Sequence, residues 1–186
     1  MTATRDLVEK AEEQIEIEMK NVDYDTREFT TEYLVDKYLE GIDNETNELY
    51  VPEYQREFIW SCQRQSRFIE SLILGLPITP FFAAEIPDAG RLEIVDGSHR
   101  IRTLSAFLKN ELCLTGLTKL THLNGFKFYD FPLSHQRRFK NIPVIMIILS
   151  SKATSEVRKD MFDRINTGNV QYKNNFVFET VEMRCL

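Results

Sequence analysis

Apolar positions change period along this chain, and the changes mark out its elements. Residues 1–20 carry Leu7, Val8, Ile15, Ile17 and Met19 among many charges. They form no broad stripe, so the segment reads as a polar helix or a solvated arm. Thr30 or Thr31 can cap a short helix through Tyr33, Leu34, Lys37 and Tyr38 that ends at Gly41. Asn47 to Val51 reads as a short strand stopped by Pro52. Ser61 can cap the next helix, where Phe68, Ile69, Leu72 and Ile73 fall at helical spacing before Gly75 and Pro77 end it.

Two strands follow, Phe81 to Ile86 and Leu92 to Val95, joined as a hairpin by Pro87-Asp88-Ala89-Gly90. After Asp96-Gly97 the period turns helical again, with Ile101, Leu104, Ser105 and Leu108 on one face. Ser134 opens a short basic helix. Ile142 to Leu149 is continuous, uncharged and β-branched, the pattern of a strand buried on both faces. Val157, Met161, Phe162 and Ile165 predict a last helix, closed by Asn166-Thr167-Gly168. The expected fold is α+β: a small mixed β-sheet flanked by helices, preceded by a helical arm over 1–44, with the domain over 45–170 and a short tail over 171–186.

Composition agrees with one folded domain. Apolar residues make up 42% of the 186, and 13 Phe supply core volume. A formal net charge of −6 argues against coating DNA by bulk electrostatics, which needs a basic face. It leaves room for a local basic groove built from Arg56, Arg64, Arg67, Arg137 and Arg138. Cys62, Cys113 and Cys185 are odd in number and far apart, which argues against a disulfide scaffold or a zinc site and fits a cytoplasmic protein. The longest apolar run, Val144 to Leu149, is too short to cross a bilayer.

Three constellations carry candidate chemistry. At the first, Val95-Asp96-Gly97-Ser98-His99-Arg100, a strand turns into a helix whose N-terminus attracts anions. Gly97 allows a tight turn, Ser98 and His99 occupy the first helical turn, and Arg100 offers a planar fork for phosphate. Asp96 can hold a magnesium ion or a water. Equally, Asp96 can simply cap the helix. The second is Tyr54-Gln55-Arg56 followed by Trp60, where amide, guanidinium and rings can meet a base or a phosphate, or form only a surface turn and a core Trp. The third, Arg164-Ile165-Asn166-Thr167-Gly168, is either a helix C-cap or one wall of a site. His99, His122 and His135 stand at no metal-ligand spacing.

Taken in order, VPEYQREFIW, RFIESLILGLPITPFF, LEIVDGSHRIRTLSAF and MFDRINTG resemble the N-terminal domain of GmrSD-type modification-dependent restriction enzymes, a branch of the ParB/sulfiredoxin-like superfamily. The resemblance covers roughly residues 45–170. It implies binding, and possible hydrolysis, of a nucleoside triphosphate with Mg2+ at the central turn. It also implies a role in defence against foreign DNA, in company with a nuclease domain or subunit. On this basis Asp96, His99 and Arg100 are the expected catalytic residues, with Asp96 holding the metal. Gly97, Ser98, Arg100, Tyr54, Gln55, Arg56, Arg164 and Asn166 are the expected nucleotide-binding set. The family's usual Asp-Gly-Gln-Gln-Arg is here Asp96-Gly97-Ser98-His99-Arg100, so both glutamines are replaced. Sulfiredoxin's Gly-Cys-His-Arg lies close to Gly97–Arg100, but Ser98 lacks the thiol its chemistry needs. The alternative is a non-enzymatic module that reads DNA or senses its modification through the same pocket.

Overall fold

A computed structural model describes residues 4–20, 23–55, 57–86, 89–151, 160 and 163–165. Among the described residues, five α-helices, α1 (Arg5–Lys20), α2 (Thr31–Leu39), α3 (Cys62–Ile73), α4 (Ser98–Leu108) and α5 (Leu133–Lys140), precede the helical residues at 160 and 163–165 and accompany five strands, β1 (Tyr24–Thr30), β2 (Leu49–Tyr50), β3 (Phe81–Ile86), β4 (Arg91–Asp96) and β5 (Pro143–Leu149). The strands form one sheet in the order β1-β5-β3-β4-β2. β1 is antiparallel to β5 and β3 to β4, whereas β5 with β3 and β4 with β2 run parallel. The fold is α+β with a mixed sheet, as the sequence predicts.

Alternation along the strands divides the core. Phe81 and Ala83, Leu92 and Ile94, and Val144, Met146 and Ile148 face the helices. There they meet Leu34 and Val35 of α2, Ile69 and Leu72 of α3, and Ile101, Leu104 and Phe107 of α4. The opposite face carries a smaller cluster of Ala84, Val95 and Leu149, with Phe82 and Ile165 packed against it.

The predicted caps at Thr30 and Ser61 form: each side chain accepts an N–H three residues on, from Tyr33 and Arg64. Other expectations shift. β1 was not anticipated, because Tyr24–Thr30 has only Tyr24 and Phe29 as large apolar residues and no strict alternation. It pairs with β5 over its whole length, and Leu34 and Val35 of α2 are core residues. Residues 24–39, read from sequence as part of the arm, are therefore built into the sheet and core. β5 is not buried on both faces: Ile145, which alternates away from the core residues Val144, Met146 and Ile148, is 45% exposed. α5 starts at Leu133 rather than after Ser134, since the Pro132 carbonyl accepts the N–H of both His135 and Gln136. Of the cysteines, Cys113 is a free thiol, and Cys185 lies outside the described residues. Residues Asp160 and 163–165 are helical, in keeping with the predicted last helix; Asn166 to Gly168 lie outside the described residues. Among the described residues no helix is long and apolar enough to cross a membrane.

Candidate functional site

β4 ends at Asp96 and α4 begins at Ser98, with Gly97 between them in the left-handed region at φ 115°. Two constraints exclude a side chain there. The conformation is strained for any L residue, and a Cβ would lie 2.5 Å from the Phe81 ring. Gly97 therefore lets α4 pack against β3. Asp96 does not cap the helix, since the N-cap is Gly97, which makes no side-chain capping bond. Gly97 supplies no side-chain cap to the first turn of α4, and a helix start of this kind favours an incoming anion.

Asp96 turns instead to Arg100. Its Oδ2 accepts from Arg100 Nη2 at 2.9 Å. The Arg100 residue is only 7% exposed. Nη1 donates to the carbonyl and hydroxyl oxygens of Thr79, and Nη2 also donates to the Pro80 carbonyl at 3.0 Å. The guanidinium stacks over Phe81, 4.4 Å from the ring centre. Burial pulls its pKa down and Asp96 opposes that shift. All four terminal N–H donors are engaged inside the protein. Arg100 thus clamps the Thr79-Pro80 approach to β3 onto the β4–α4 turn. The phosphate fork expected from sequence is occupied by the fold itself.

His99 stacks with two rings, Phe58 at 5.4 Å and Trp60 at 5.5 Å. Its Nε2 accepts the Ile59 N–H at 3.3 Å, and Ser98 Oγ lies 3.5 Å from Nδ1. An accepting Nε2 places the proton on Nδ1 in the neutral ring. Arg64 lies over Trp60 at 4.7 Å. The loop after residue 56 is thereby fastened to the first turn of α4.

The second motif reaches the same junction. Gln55 donates from Nε2 to the Val95 carbonyl at 2.9 Å, and its own carbonyl accepts from Arg102. Arg56 and the side chain of Tyr54 lie outside the described residues. From the third motif, Ile165 packs near Val95, whereas Arg164 is exposed and pairs with Asp160 at 2.8 Å. Asn166 lies outside the described residues. The structure therefore joins Gln55, Asp96, His99 and Arg100 around one turn and brings the third motif near it through Ile165.

A polar cavity of about 530 Å³ lies beyond the 53–55 turn, lined by Tyr50, Glu53, Arg91 and Arg102 among others. Asp96, Gly97, His99 and Arg100 do not line it. Tyr50 donates to Glu93 at 2.6 Å, and burial with that bond pushes its pKa up to about 12. Among the described residues no group of three or more His, Cys, Asp or Glu is placed to hold a metal. A Mg2+ ion at Asp96 would thus rely on one carboxylate, with phosphate and water completing its shell.

Sequence reasoning missed Thr79, Pro80 and Phe58. The Leu-Pro-Ile-Thr-Pro segment carried a signal: its two prolines keep the backbone extended and leave carbonyls without ladder partners. It also missed that the basic residues separate. Arg64 sits beside Trp60 at the start of α3, and Arg138 lines a cavity with Leu72 and Ile73 at its other end.

Comparison with protein families decides the wider identity. The family described as the GmrSD restriction endonuclease N-terminal domain matches residues 31–178. The chain belongs to the GmrSD N-terminal domain family. It is accordingly a domain of the restriction-system type. No curated protein and no solved structure matches it. The GmrSD match starts at Thr31, the first residue of α2.

Proposed function

We propose that this GmrSD N-terminal domain binds a nucleoside triphosphate at the β4–α4 turn and acts with a nuclease domain or subunit in restriction of DNA, in the cytoplasm. The observation that carries the reading is the Asp96–Arg100 pair, braced across Gly97 at a helix start with no side-chain cap. The first-turn N–H groups of α4 receive a phosphate. Asp96 has one oxygen bound to Arg100 and offers the other to Mg2+ or a water. Arg100 positions Asp96. Ser98 and His99 stand where the family's glutamines would, so any hydrolysis depends on their orienting a water.

The test is nucleotide binding and phosphate release by the purified chain with Mg2+, for the wild type and Asp96→Asn. Binding that survives in wild type and weakens in the variant supports the reading. A folded chain that neither binds nor turns over any nucleoside triphosphate sinks it. A second reading, a DNA-sensing module without turnover, is favoured by Phe58 and Ile59, which are 40% and 57% exposed at the tip of the loop beside Arg64. It predicts that Phe58→Ala weakens DNA binding and that nucleotides leave this binding unchanged.

A further inference from the structure

Among the described residues, the helices leave an apolar groove on the side of the molecule formed by α3 and α5. Two cavities, about 400 and 410 Å³, adjoin there and share Ile73, Phe131 and His135. Phe107, Phe128 and Phe139 wall the first, and Leu120, Leu123 and Phe126 the second. Beside them Leu74, Leu76 and Leu133 are 42%, 52% and 66% exposed. Apolar surface of this extent, concave and contiguous, marks an interaction site. Its charged lining has one sign. Arg138 and Lys119 border the cavities, with His122 and His135, and among the described residues no Asp or Glu lines either one.

The complementary surface is on the same chain. α1 has no buried residue. Val8, Ala11, Ile15 and Met19 recur at intervals of three and four, so they form one narrow stripe. Val8, Ile15 and Met19 are 44%, 56% and 68% exposed. Glu12 and Glu16 flank the stripe, and the acidic residues of α1 outnumber its Arg5, Lys10 and Lys20. Two such helices would repel each other; an apolar groove with a cationic rim would not repel either.

We infer that α1 of a second copy of this chain docks its Val8–Met19 stripe into the α3–α5 groove, in a reciprocal twofold exchange. Reciprocity doubles the surface buried by one docking and moves the contact toward the size of stable interfaces, about 1,200–2,000 Å². Arg138 pairs across the interface with the carboxylates beside the stripe, Glu12 foremost. This interface is separate from the β4–α4 turn and stands whether or not that turn binds nucleotide.

Sedimentation equilibrium of the full chain over a micromolar concentration series tests it. The expected species has twice the 21.9 kDa chain mass. Ile15→Ser and Arg138→Glu each weaken association by about tenfold or more, and Glu12→Arg restores it in the Arg138→Glu background. All three positions are exposed, so circular dichroism is expected to show an unchanged fold. A monomer at every concentration overturns the inference, including one in which α1 covers its own groove. A dimer that Ile15→Ser weakens but Arg138→Glu does not is α1 pairing with α1, and overturns it too. So does a dimer that neither change affects.

Discussion

Arg100 and Glu70 show what single buried charges do here. Arg100 makes its bonds to two carbonyls, a hydroxyl and Asp96 from one planar fork. A lysine has a point charge and a different reach, so Arg100→Lys is not conservative. Arg100→Ala strands the Asp96 charge and two carbonyls, and its expected cost is about 3–5 kcal/mol, read from urea unfolding. Loss of ligand binding in that variant then reports a lost clamp. Glu70, 5% exposed on α3, behaves differently. Burial raises its pKa, but backbone N–H groups of Leu120, Lys119 and Thr118, with Arg67, hold it below the ordinary 4.5. Its Oε1 accepts from Lys119 at 2.8 Å and Leu120 at 2.7 Å, which pins the 118–120 turn to α3. A depressed carboxylate stabilises the fold fully above pH 4.5, and that contribution is lost as pH falls through the lowered value. Glu70→Gln is therefore expected to flatten the decline in unfolding free energy below pH 4.5 and to lower stability at neutral pH. Unfolding curves from pH 3 to 7 check both.

At the scale of elements, the junction of β4 with α4 is organised by packing as much as by chemistry. Gly97→Ala forces a side chain into the left-handed region and onto the Phe81 ring, with an expected loss of about 1–3 kcal/mol. Thermal unfolding measures it. The Phe58–His99–Trp60 stack fastens the loop before α3, and Trp60 is the chain's single tryptophan. His99→Ala removes the central ring and the acceptor for Ile59, so Trp60 fluorescence is expected to shift to the red while circular dichroism stays unchanged. An unshifted spectrum would mean that Phe68, edge-on to Trp60 at 5.9 Å, holds the indole alone. These elements were readable in the sequence to different degrees. The helix caps and the β3–β4 hairpin follow from local rules, and so they were legible. The turn at Asp96-Gly97 was legible as a special position, but Arg100's partners were not. They come from a segment twenty residues earlier, and a guanidinium looks the same in sequence whether it faces a ligand or a carbonyl. β1 was illegible for a related reason, since its pairing with β5 joins segments more than a hundred residues apart.

For the whole molecule, the two segments before the GmrSD match at Thr31 have opposite roles. α1 buries nothing within its own chain, so its removal costs no core packing. β1 pairs with β5 from Tyr24↔Leu149 to Thr30↔Pro143. Stripping β1 would turn β5 into an edge carrying Val144, Ile145, Met146, Ile147 and Ile148, a long apolar strand with unpaired N–H and C=O groups. The Thr30 cap of α2 would go with it, at a cost of about 1 kcal/mol. At concentrations low enough to keep the chain monomeric, one starting at residue 23 is therefore expected to keep the wild-type unfolding transition, and one starting at Thr31 to aggregate or unfold at lower temperature. Scanning calorimetry and light scattering on the two truncations separate the outcomes. If the chain starting at Thr31 were as stable as the wild type, the β5 edge would need no cover, and β1 would be an accessory to a four-stranded domain. At higher concentrations, removal of residues 1–22 alone is expected to lower the transition if α1 stabilises the fold from outside its own chain. The loss would then depend on protein concentration, because a contact between copies stabilises by mass action.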